Sequence, residues 1–285
     1  MKKVVFIYNP FSGENRILSH LDYILHQYQD YGYRVIPFRF TEGSGLEKAF
    51  ADVDDSYHHV LVAGGDGTIN SVVNEMQKQG IKLPLAILPA GTANDFATLL
   101  GYSGNIQTAC REILEGRVSS VDLGLVNDRY FINVLSAGLF TEVSQKTPTI
   151  LKNTFGKMAY YMSGIQELPR FRKIHVRIDS DDLFFDDNVY IFFVFNGNTA
   201  GNMRFAHNSD IQDGLFDVVI VKGEAPLVTI SSLFNVLSGL RRDYPSGIIH
   251  FKTRELRIDS EDNINIDIDG EHGPAIPIRV RCIPG

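Results

Sequence analysis

The sequence has little cysteine and no long hydrophobic run. Its 285 residues include two cysteines, Cys110 and Cys282, whose spacing suits no metal site, so we expect reduced thiols in a cytosolic protein. No stretch approaches the ~18 apolar residues that a membrane span needs. The apolar run before Asn9 is too short for a signal-peptide core. These absences predict a soluble, cytoplasmic protein, and any contact with the inner face of the membrane would be peripheral.

Several catalytic motifs are also absent. The chain has no Walker A sequence and no dinucleotide-binding Gly-x-Gly-x-x-Gly sequence. It has no Gly-x-Ser-x-Gly elbow, no His-Glu-x-x-His and no Cys-x-x-Cys, so hydrolase and zinc chemistry lack support. His58 and His59 precede a predicted strand, and we expect them at the surface.

The net charge of −7 argues against nucleic acid as the main partner. One segment departs from this balance, because between residues 146 and 173 the only acid is Glu167. The basic residues there are Lys146, Lys152, Lys157, Arg170, Arg172 and Lys173. A helix predicted over 149–168 is either a core helix with a charged outer face or a helix whose cations face anionic lipid headgroups.

The two halves of the chain follow different patterns. Up to about residue 125, short β-rich runs alternate with helical patterns, which predicts βαβ units around a parallel sheet. Strands are expected at 4–8, 34–40, 60–63 and 85–88, and helices at 16–29, 45–51 and 69–79. After Asp122 the pattern is mostly strands, with helices only at 149–168 and 227–240. The alternation from Asn263 to Asp269 predicts a strand with one buried and one wet face, and Asp267 on the wet face.

We therefore predict an α/β nucleotide-type domain over 1–125 and a mostly antiparallel β domain over 126–277. Residues 278–285 contain a final strand that is expected to return to the first domain.

Three polar, glycine-containing loops follow predicted strands directly. They lie at Asn9–Gly13, Gly64–Thr68 and Pro89–Phe96, where a parallel sheet places its ligand site. Glycines let backbone N–H groups approach phosphate oxygens, and a following helix adds its dipole. The carboxylate of Asp66 suits such a loop if Mg²⁺ bridges it to the nucleotide. One such loop could equally be a tight turn, but three on one edge favour a nucleotide site.

The order and spacing of these loops resemble the bacterial diacylglycerol kinase / lipid kinase family of the NAD kinase-like superfamily. The motifs are Asn9-Pro10-x-Ser12-Gly13, Gly64-Gly65-Asp66-Gly67-Thr68-x-Asn70 and Pro89-x-Gly91-Thr92-x-Asn94-Asp95-Phe96-Ala97. The second motif is shared with NAD kinases, and the third narrows the match to lipid kinases. The second half is similar too, at Ser136-Ala137-Gly138, Asp213-Gly214-x-Phe216 and Asp269-Gly270-Glu271.

The resemblance implies a three-layer α/β ATP-binding domain followed by an antiparallel β-sandwich. It also implies which residues bind ATP: Asn9, Pro10, Ser12, Gly13, Thr41, Gly64, Gly65, Asp66, Gly67, Thr68, Asn70, Thr92, Asn94 and Asp95. An acidic cluster around the nucleotide Mg²⁺ would comprise Asp66, Asp95 and Asp122. A second, structural Mg²⁺ would be held by Asp213 and by the backbone carbonyls of Asp210 and Leu215.

The catalytic base of the family falls at Asp269-Gly270-Glu271, and we assign it to Glu271 with Asp269 beside it. The chemistry agrees, because a lipid hydroxyl is a weak nucleophile that needs a base within hydrogen-bond reach. Most of the rate comes from positioning and from cations on the phosphates. Ser71 departs from the family, because many relatives carry glutamate there.

The expected reaction is ATP-dependent phosphorylation of diacylglycerol or a related membrane lipid. Alternatives are a kinase for phosphatidylglycerol, a sphingoid base or NAD, and a non-catalytic nucleotide or lipid sensor with the same fold. A homodimer is left open.

Overall fold

The computed structural model describes residues 2–43, 45–138, 173–197, 199–200, 203–204, 210–222, 244 and 246–285. The helices predicted at 149–168 and 227–240 lie outside these ranges, as does the basic segment apart from Lys173. The chain divides into two compact units, Met1–Ser119 and Ser120–Gly285, called unit 1 and unit 2 below. In the ranges that the structure describes, no helix combines the length and apolarity needed to cross a bilayer.

Unit 1 is built on a four-stranded parallel sheet in the order β2-β1-β3-β4. The strands are β1 Lys2–Tyr8, β2 Tyr33–Arg39, β3 Tyr57–Gly64 and β4 Leu85–Pro89. The α-helices are α1 Leu21–Asp30, α2 Asp66–Gln79, α3 Asp95–Leu99 and α4 Ile106–Glu115. Short 3₁₀ helices occupy Ser12–Asn15, Leu18–His20 and Leu46–Phe50.

Both faces of the unit 1 sheet are covered. Val4 and Phe6 share a core with Ile24 of α1 and Ala109 of α4. Val5 and Ile7 point the opposite way because side chains alternate along a strand, and they are buried as well. Burial on both faces explains why these strands are continuous apolar runs, and it confirms the predicted α/β layering.

Several local predictions for unit 1 need correction. The helix predicted from residue 16 begins as an α-helix only at Leu21, after 3₁₀ turns. Helices α3 and α4 were not predicted, although the side chain of Asn105 caps α4 by accepting a hydrogen bond from the Thr108 amide. His58 and His59 lie inside β3, and His59 is 7% exposed, so it is a core residue.

The described residues of unit 2 include two six-stranded antiparallel sheets. The first has the order β14-β13-β10-β7-β16-β17, and the second the order β6-β5-β18-β15-β8-β9. The strands of the first sheet are β7 Val134–Gly138, β10 Ile191–Phe195, β13 Phe216–Val221, β14 Ile248–Thr253, β16 Ile266–Ile268 and β17 Glu271–His272. Those of the second are β5 Leu123–Val126, β6 Arg129–Phe131, β8 Ile174–Ser180, β9 Phe184–Val189, β15 Glu255–Asp259 and β18 Ile278–Ile283. A separate two-stranded ribbon joins β11 Thr199–Ala200 to β12 Met203–Arg204.

One apolar core lies between the two large sheets. It combines Leu135 and Phe192 of the first sheet with Ile178 and Val280 of the second, all of them buried. Two antiparallel sheets around a shared core form a β-sandwich, which confirms the predicted fold class.

The final strand belongs to unit 2. Strand β18 pairs with β15 and with β5, and both neighbours lie after residue 120. The compact units separate between Ser119 and Ser120, a few residues before the predicted boundary at 125. The difference arises because β5, Leu123–Val126, forms its ladders within the sandwich.

The strand predicted from Asn263 to Asp269 is shorter in the structure. The regular strand is only Ile266–Ile268, and all three residues are buried. Asp267 is 6% exposed, with its carboxylate accepting a hydrogen bond from the Gly270 amide at 2.9 Å. Its prediction as a surface residue was therefore wrong.

Candidate active site

The first two predicted loops of unit 1 are joined by a side-chain hydrogen bond. Asn9 follows β1, and its amide Nδ2 donates to the Thr68 hydroxyl of α2 at 2.9 Å. The Asn9 carboxamide oxygen also accepts from the Phe11 amide at 3.0 Å, which fixes the start of the first loop. Thr68 and Asn70 are both buried near the beginning of α2. The hydrogen bond between Asn9 and Thr68 therefore holds the first and second motifs together.

Gly13 joins the first loop to the third. It has a positive φ of 49°, and a Cβ on it would lie 2.3 Å from the carbonyl oxygen of Ala90, which follows β4. Only glycine allows that conformation at this distance without strain. Glycine at this position of the first motif therefore reflects close backbone packing.

Gly65 and Gly91 bring the second and third loops into backbone contact. A Cβ on Gly91 would lie 2.4 Å from the Gly65 Cα and 2.8 Å from the Asn94 side-chain oxygen. That oxygen accepts a hydrogen bond from the Gly91 amide at 2.7 Å, while Asn94 holds a positive φ of 54°. The geometry explains why asparagine, which tolerates this backbone region, stands at residue 94.

Asp66 links the second and third loops electrostatically. Its carboxylate accepts hydrogen bonds from the amides of Asp95 at 3.2 Å and Phe96 at 3.0 Å, at the start of α3. Asp66 is itself the first residue of α2, and Asp95 is largely buried. The structure therefore places the Asp66 carboxylate against the backbone of Asp95, and a shared role of the two carboxylates in binding a cation stays a prediction.

The remaining predicted nucleotide residues lie on the same carboxyl edge of the sheet. Thr41 follows β2, where its hydroxyl accepts a hydrogen bond from Arg39 at 3.4 Å. Thr92 is exposed on the third loop. Ser71, the departure from the family pattern, donates its hydroxyl hydrogen to the Gly67 carbonyl at 2.9 Å within α2. Pro10, Ser12, Gly64 and Gly67 lie within the joined loops.

Asp122 lies in unit 2 and is tied to the 210–215 loop. Its carboxylate accepts hydrogen bonds from the amides of Gly214 at 2.8 Å and Gly285 at 3.1 Å, and its own amide donates to the Ile211 carbonyl. At 2% exposure, this carboxylate anchors the loop next to Asp213. Burial, reinforced by the charges of Asp122 and Asp213, raises the pKa of the Cys282 thiol to about 12. A role for Asp122 as a ligand of the nucleotide Mg²⁺ stays a prediction.

The geometry of Asp210, Asp213 and Leu215 fits the predicted structural Mg²⁺ site only in part. The three residues share one loop, and the Asp213 carboxylate accepts from the Leu215 amide at 3.0 Å. The Lys252 ammonium also contacts that carboxylate at 2.7 Å, so a metal ion would share it with a protein cation. Within the described ranges no three side chains of His, Cys, Asp or Glu group closely enough to hold a metal. A Mg²⁺ ion at this loop would share the Asp213 carboxylate with Lys252 and take its other ligands from carbonyl, phosphate or water oxygens, as Mg²⁺ commonly does.

Asp269 holds the segment that precedes β7. Its carboxylate accepts three backbone hydrogen bonds at 2.7–2.9 Å, from the amides of Ile132, Asn133 and Val134. Its own amide donates to the Val134 carbonyl at 3.0 Å, and its φ is 51°. The carboxylate is thus engaged in fixing the turn that leads to Glu271, and a direct catalytic role for Asp269 stays a prediction.

Glu271 stands on the two-residue strand β17 at the edge of its sheet, with its side chain 49% exposed. Its carboxylate forms an ion pair with Arg129, whose guanidinium also donates to the His272 carbonyl at 2.9 Å. Sequence reasoning missed Arg129, because nothing in its own segment marks it. Its partner lies 142 residues away along the chain.

Family models match almost the whole chain. The diacylglycerol kinase catalytic domain matches residues 3–126, and the YegS C-terminal NAD kinase beta sandwich-like domain matches residues 133–285. The first match contains the three joined loops, and the second contains Asp213, Asp269 and Glu271.

Similar proteins carry the same description. Diacylglycerol kinase of Staphylococcus epidermidis is 32% identical over 279 residues, covering 97% of this chain and 88% of that protein. Diacylglycerol kinase of Bacillus subtilis is 31% identical over 284 residues, covering 97% and 92%. A crystal structure of a proposed diacylglycerol kinase from Bacillus anthracis strain Sterne has a TM-score of 0.85 and 27% identity, covering 99% and 92%. The chain therefore belongs to the diacylglycerol kinase family of lipid kinases and, as a kinase of that family, uses ATP.

Proposed function

We propose that this lipid kinase transfers the γ-phosphate of ATP to the hydroxyl of diacylglycerol or a related lipid, giving phosphatidic acid or its equivalent. The observation that carries the proposal is the direct contact among three glycine-containing loops at one edge of a parallel sheet. Asn9 bonds to Thr68, Gly13 packs on Ala90, and Gly91 packs on Gly65. Backbone amides and a helix N-terminus at such an edge suit a polyphosphate.

Glu271 is the proposed base. The oxygen of the lipid hydroxyl bonds to the γ-phosphorus while the carboxylate takes the hydroxyl proton. The bond from that phosphorus to the oxygen bridging it to the β-phosphate breaks, and ADP leaves. A carboxylate suits this role because it can accept a proton as the hydroxyl attacks, which contributes roughly 10²- to 10⁴-fold to such reactions.

Other residues of the chain are proposed to bind the nucleotide and to orient the loops around it. Thr68 holds the first loop through its hydrogen bond with Asn9, and Asp66 fixes the third loop through the amides of Asp95 and Phe96. Mg²⁺, when bound, would neutralise the phosphate charge, and Asp66 and Asp95 are the side chains proposed to hold it on the nucleotide. Asp122 and the loop with Asp210, Asp213 and Leu215 are proposed for further metal contact.

Because the acceptor is a membrane lipid, we propose peripheral contact with the membrane surface. A homodimer is a further proposal that sedimentation would test. The name diacylglycerol kinase on the bacterial relatives supports diacylglycerol over phosphatidylglycerol, a sphingoid base or NAD as the acceptor.

The decisive experiment measures transfer of labelled γ-phosphate from Mg-ATP into micelles of diacylglycerol, phosphatidylglycerol, ceramide or sphingosine, with NAD⁺ as a soluble acceptor. Wild type is compared with Glu271→Gln. The matched control is Glu255→Gln, because Glu255 is another half-exposed glutamate of unit 2 that is paired with an arginine, Arg279.

We expect label in diacylglycerol, loss of at least ~100-fold in Glu271→Gln, and wild-type transfer in Glu255→Gln. ATP binding should survive in both variants. Label only in NAD⁺ would reject the lipid acceptor, and binding of ATP without transfer to any acceptor would favour a sensor.

A further inference from the structure

Two segments of unit 2 hold each other at the proposed base. The first is the 129–134 segment, which runs from the start of β6 to the start of β7. The second is the 269–272 turn, which carries Glu271. The three amides at 132–134 bind the Asp269 carboxylate, and Arg129 binds Glu271 and the carbonyl of His272. The 129–134 segment is therefore bonded to the 269–272 turn at both ends of that turn.

The two sets of contacts, those of Asp269 and those of Arg129, hold different atoms of the turn. The Asp269 contacts fix the backbone where the turn begins, at a position held in a left-handed conformation. They do not reach the Glu271 side chain, which is 49% exposed on an edge strand of two residues. A glutamate side chain in such a setting samples several rotamers and loses entropy when it is held in one. Arg129 supplies the contact that fixes it.

We propose that Arg129 is the positioning residue of the base, holding the Glu271 carboxylate in one orientation for proton transfer. The proposal rests on the proposed function of Glu271. A planar guanidinium can donate from two nitrogens in a fixed fork, and here one nitrogen takes the carboxylate and the other the His272 carbonyl. The second contact ties the orientation of the guanidinium to the backbone of the turn. Arg129 is 29% exposed, so it is more enclosed than the glutamate that it holds.

Positioning of this kind has a definite kinetic signature. Losing Arg129 leaves the carboxylate present but distributed over several rotamers, so a smaller fraction of bound complexes is ready to react. We therefore expect kcat to fall roughly 10- to 100-fold, as for a small misplacement of a catalytic group. The KM for ATP should stay unchanged, because the nucleotide loops are in unit 1.

The chain provides a matched control. Arg279 forms the same type of pair with Glu255 between β18 and β15, and it lies in the same unit. Four proteins are compared at saturating lipid and ATP: wild type, Arg129→Ala, Arg129→Lys and Arg279→Ala. Lysine can reach the carboxylate as a point charge but cannot make both contacts of the fork. We expect Arg129→Lys to recover part of the kcat that Arg129→Ala loses, and Arg279→Ala to match wild type.

Thermal unfolding and binding of a fluorescent ATP analogue accompany the kinetics. An unchanged kcat in Arg129→Ala would overturn the proposal, and so would an equal loss in Arg279→Ala. A loss of kcat that follows the fall in unfolding temperature, without recovery in the lysine variant, would assign Arg129 to stability alone. Absence of lipid phosphorylation by the wild type would instead reject the proposed function, so the two failures are distinct.

Discussion

In unit 1 the candidate groups stand on loops whose backbones touch, whereas in unit 2 carboxylates tie turns to distant amides. Gly91 can pack on Gly65 because neither has a side chain, and Gly13 packs on the Ala90 carbonyl for the same reason. In unit 2, Asp269 reaches across to Ile132, Asn133 and Val134, and Asp122 to Gly214 and Gly285. Unit 1 thus adds glycine contacts between loop backbones to the side-chain bonds of Asn9 and Asp66, whereas the turns of unit 2 are held by carboxylates.

The largest effect should come from removing the carboxylate of Asp269. Asp269→Ala leaves three backbone amides without their charged acceptor, so we expect unit 2 to lose about 4 kcal/mol of unfolding free energy. Denaturant unfolding measures it. Asp262→Ala is the control, because the Asp262 carboxylate accepts a hydrogen bond from the His175 amide at 2.7 Å, and its loss should be about 1 kcal/mol. Equal losses in the two variants would remove the special role of the triple contact.

Unit 1 should differ from unit 2 in its response to acid. Burial, and then the charge of His58, lowers the pKa of His59 from 6.5 to about 4. As the pH falls below 6.5, His59 becomes protonated in the unfolded chain, whereas in the folded unit it becomes protonated only near pH 4. The contribution of His59 to the free energy of unfolding is therefore fully present above pH 6.5. It falls by about 3 kcal/mol in all as the pH drops from 6.5 to about 4.

His59→Gln tests the acid response, because glutamine can still hydrogen-bond to the buried Tyr28 hydroxyl that contacts His59 at 3.2 Å. Denaturant midpoints at pH 7, 5.5 and 4.5 should fall less in the variant than in wild type. His26→Gln, which replaces an exposed histidine of the same unit, is the matched control variant. If wild type and His59→Gln lose stability in parallel, the acid response arises elsewhere.

The contact between Gly91 and Gly65 gives the next effect. Gly91→Ala must push the second and third loops apart, because the clash is with backbone. Overpacking of this kind costs about 2 kcal/mol, which corresponds to roughly 30-fold weaker ATP binding if the loops open at the phosphate site. Gly104→Ala is the control, since a Cβ there meets nothing within 4 Å. Equilibrium binding of ATP measures both, and unchanged affinity in Gly91→Ala would separate the loop contact from the nucleotide.

These differences also explain what the sequence could predict. The unit 1 site is local, because each loop is a short motif placed by the strand before it, so the motifs and the parallel sheet were predictable together. Arg129 and Asp269 act on partners more than 130 residues away, and no spacing marks such pairs. Asp267 was predicted wrongly for a different reason. Its carboxylate bonds to the nearby Gly270 amide, and the alternating pattern of its segment does not reveal the turn that provides this contact.

Helices α3 and α4 were missed for local reasons. Helix α3 has five residues, too few to show an apolar period, and it is stabilised by the Asp66 carboxylate at its first amides. Helix α4 buries Ile106, Ala109 and Cys110 at helical spacing, a signal that the sequence does contain.

The smallest effect concerns Phe11, which is 74% exposed on the first loop. The Arg39 guanidinium lies 5.1 Å from its ring centre, and the loop start is fixed through Asn9. An exposed ring held beside a phosphate loop can stack on a nucleobase, a contact worth about 1 kcal/mol or more. We expect Phe11→Ala to bind ATP roughly 5-fold more weakly and to bind tripolyphosphate, which has no base, as wild type does.

Phe184→Ala removes a ring of similar exposure from β9 in unit 2 and should change neither affinity. Equal weakening for ATP and tripolyphosphate would mean that Phe11 shapes the phosphate loop and does not contact the base. Unchanged ATP binding, together with weaker partitioning onto lipid vesicles, would assign the ring to the membrane surface. Either outcome would remove the proposed base contact and leave the first loop of unit 1 with its Asn9 hydrogen bonds and its Gly13 packing.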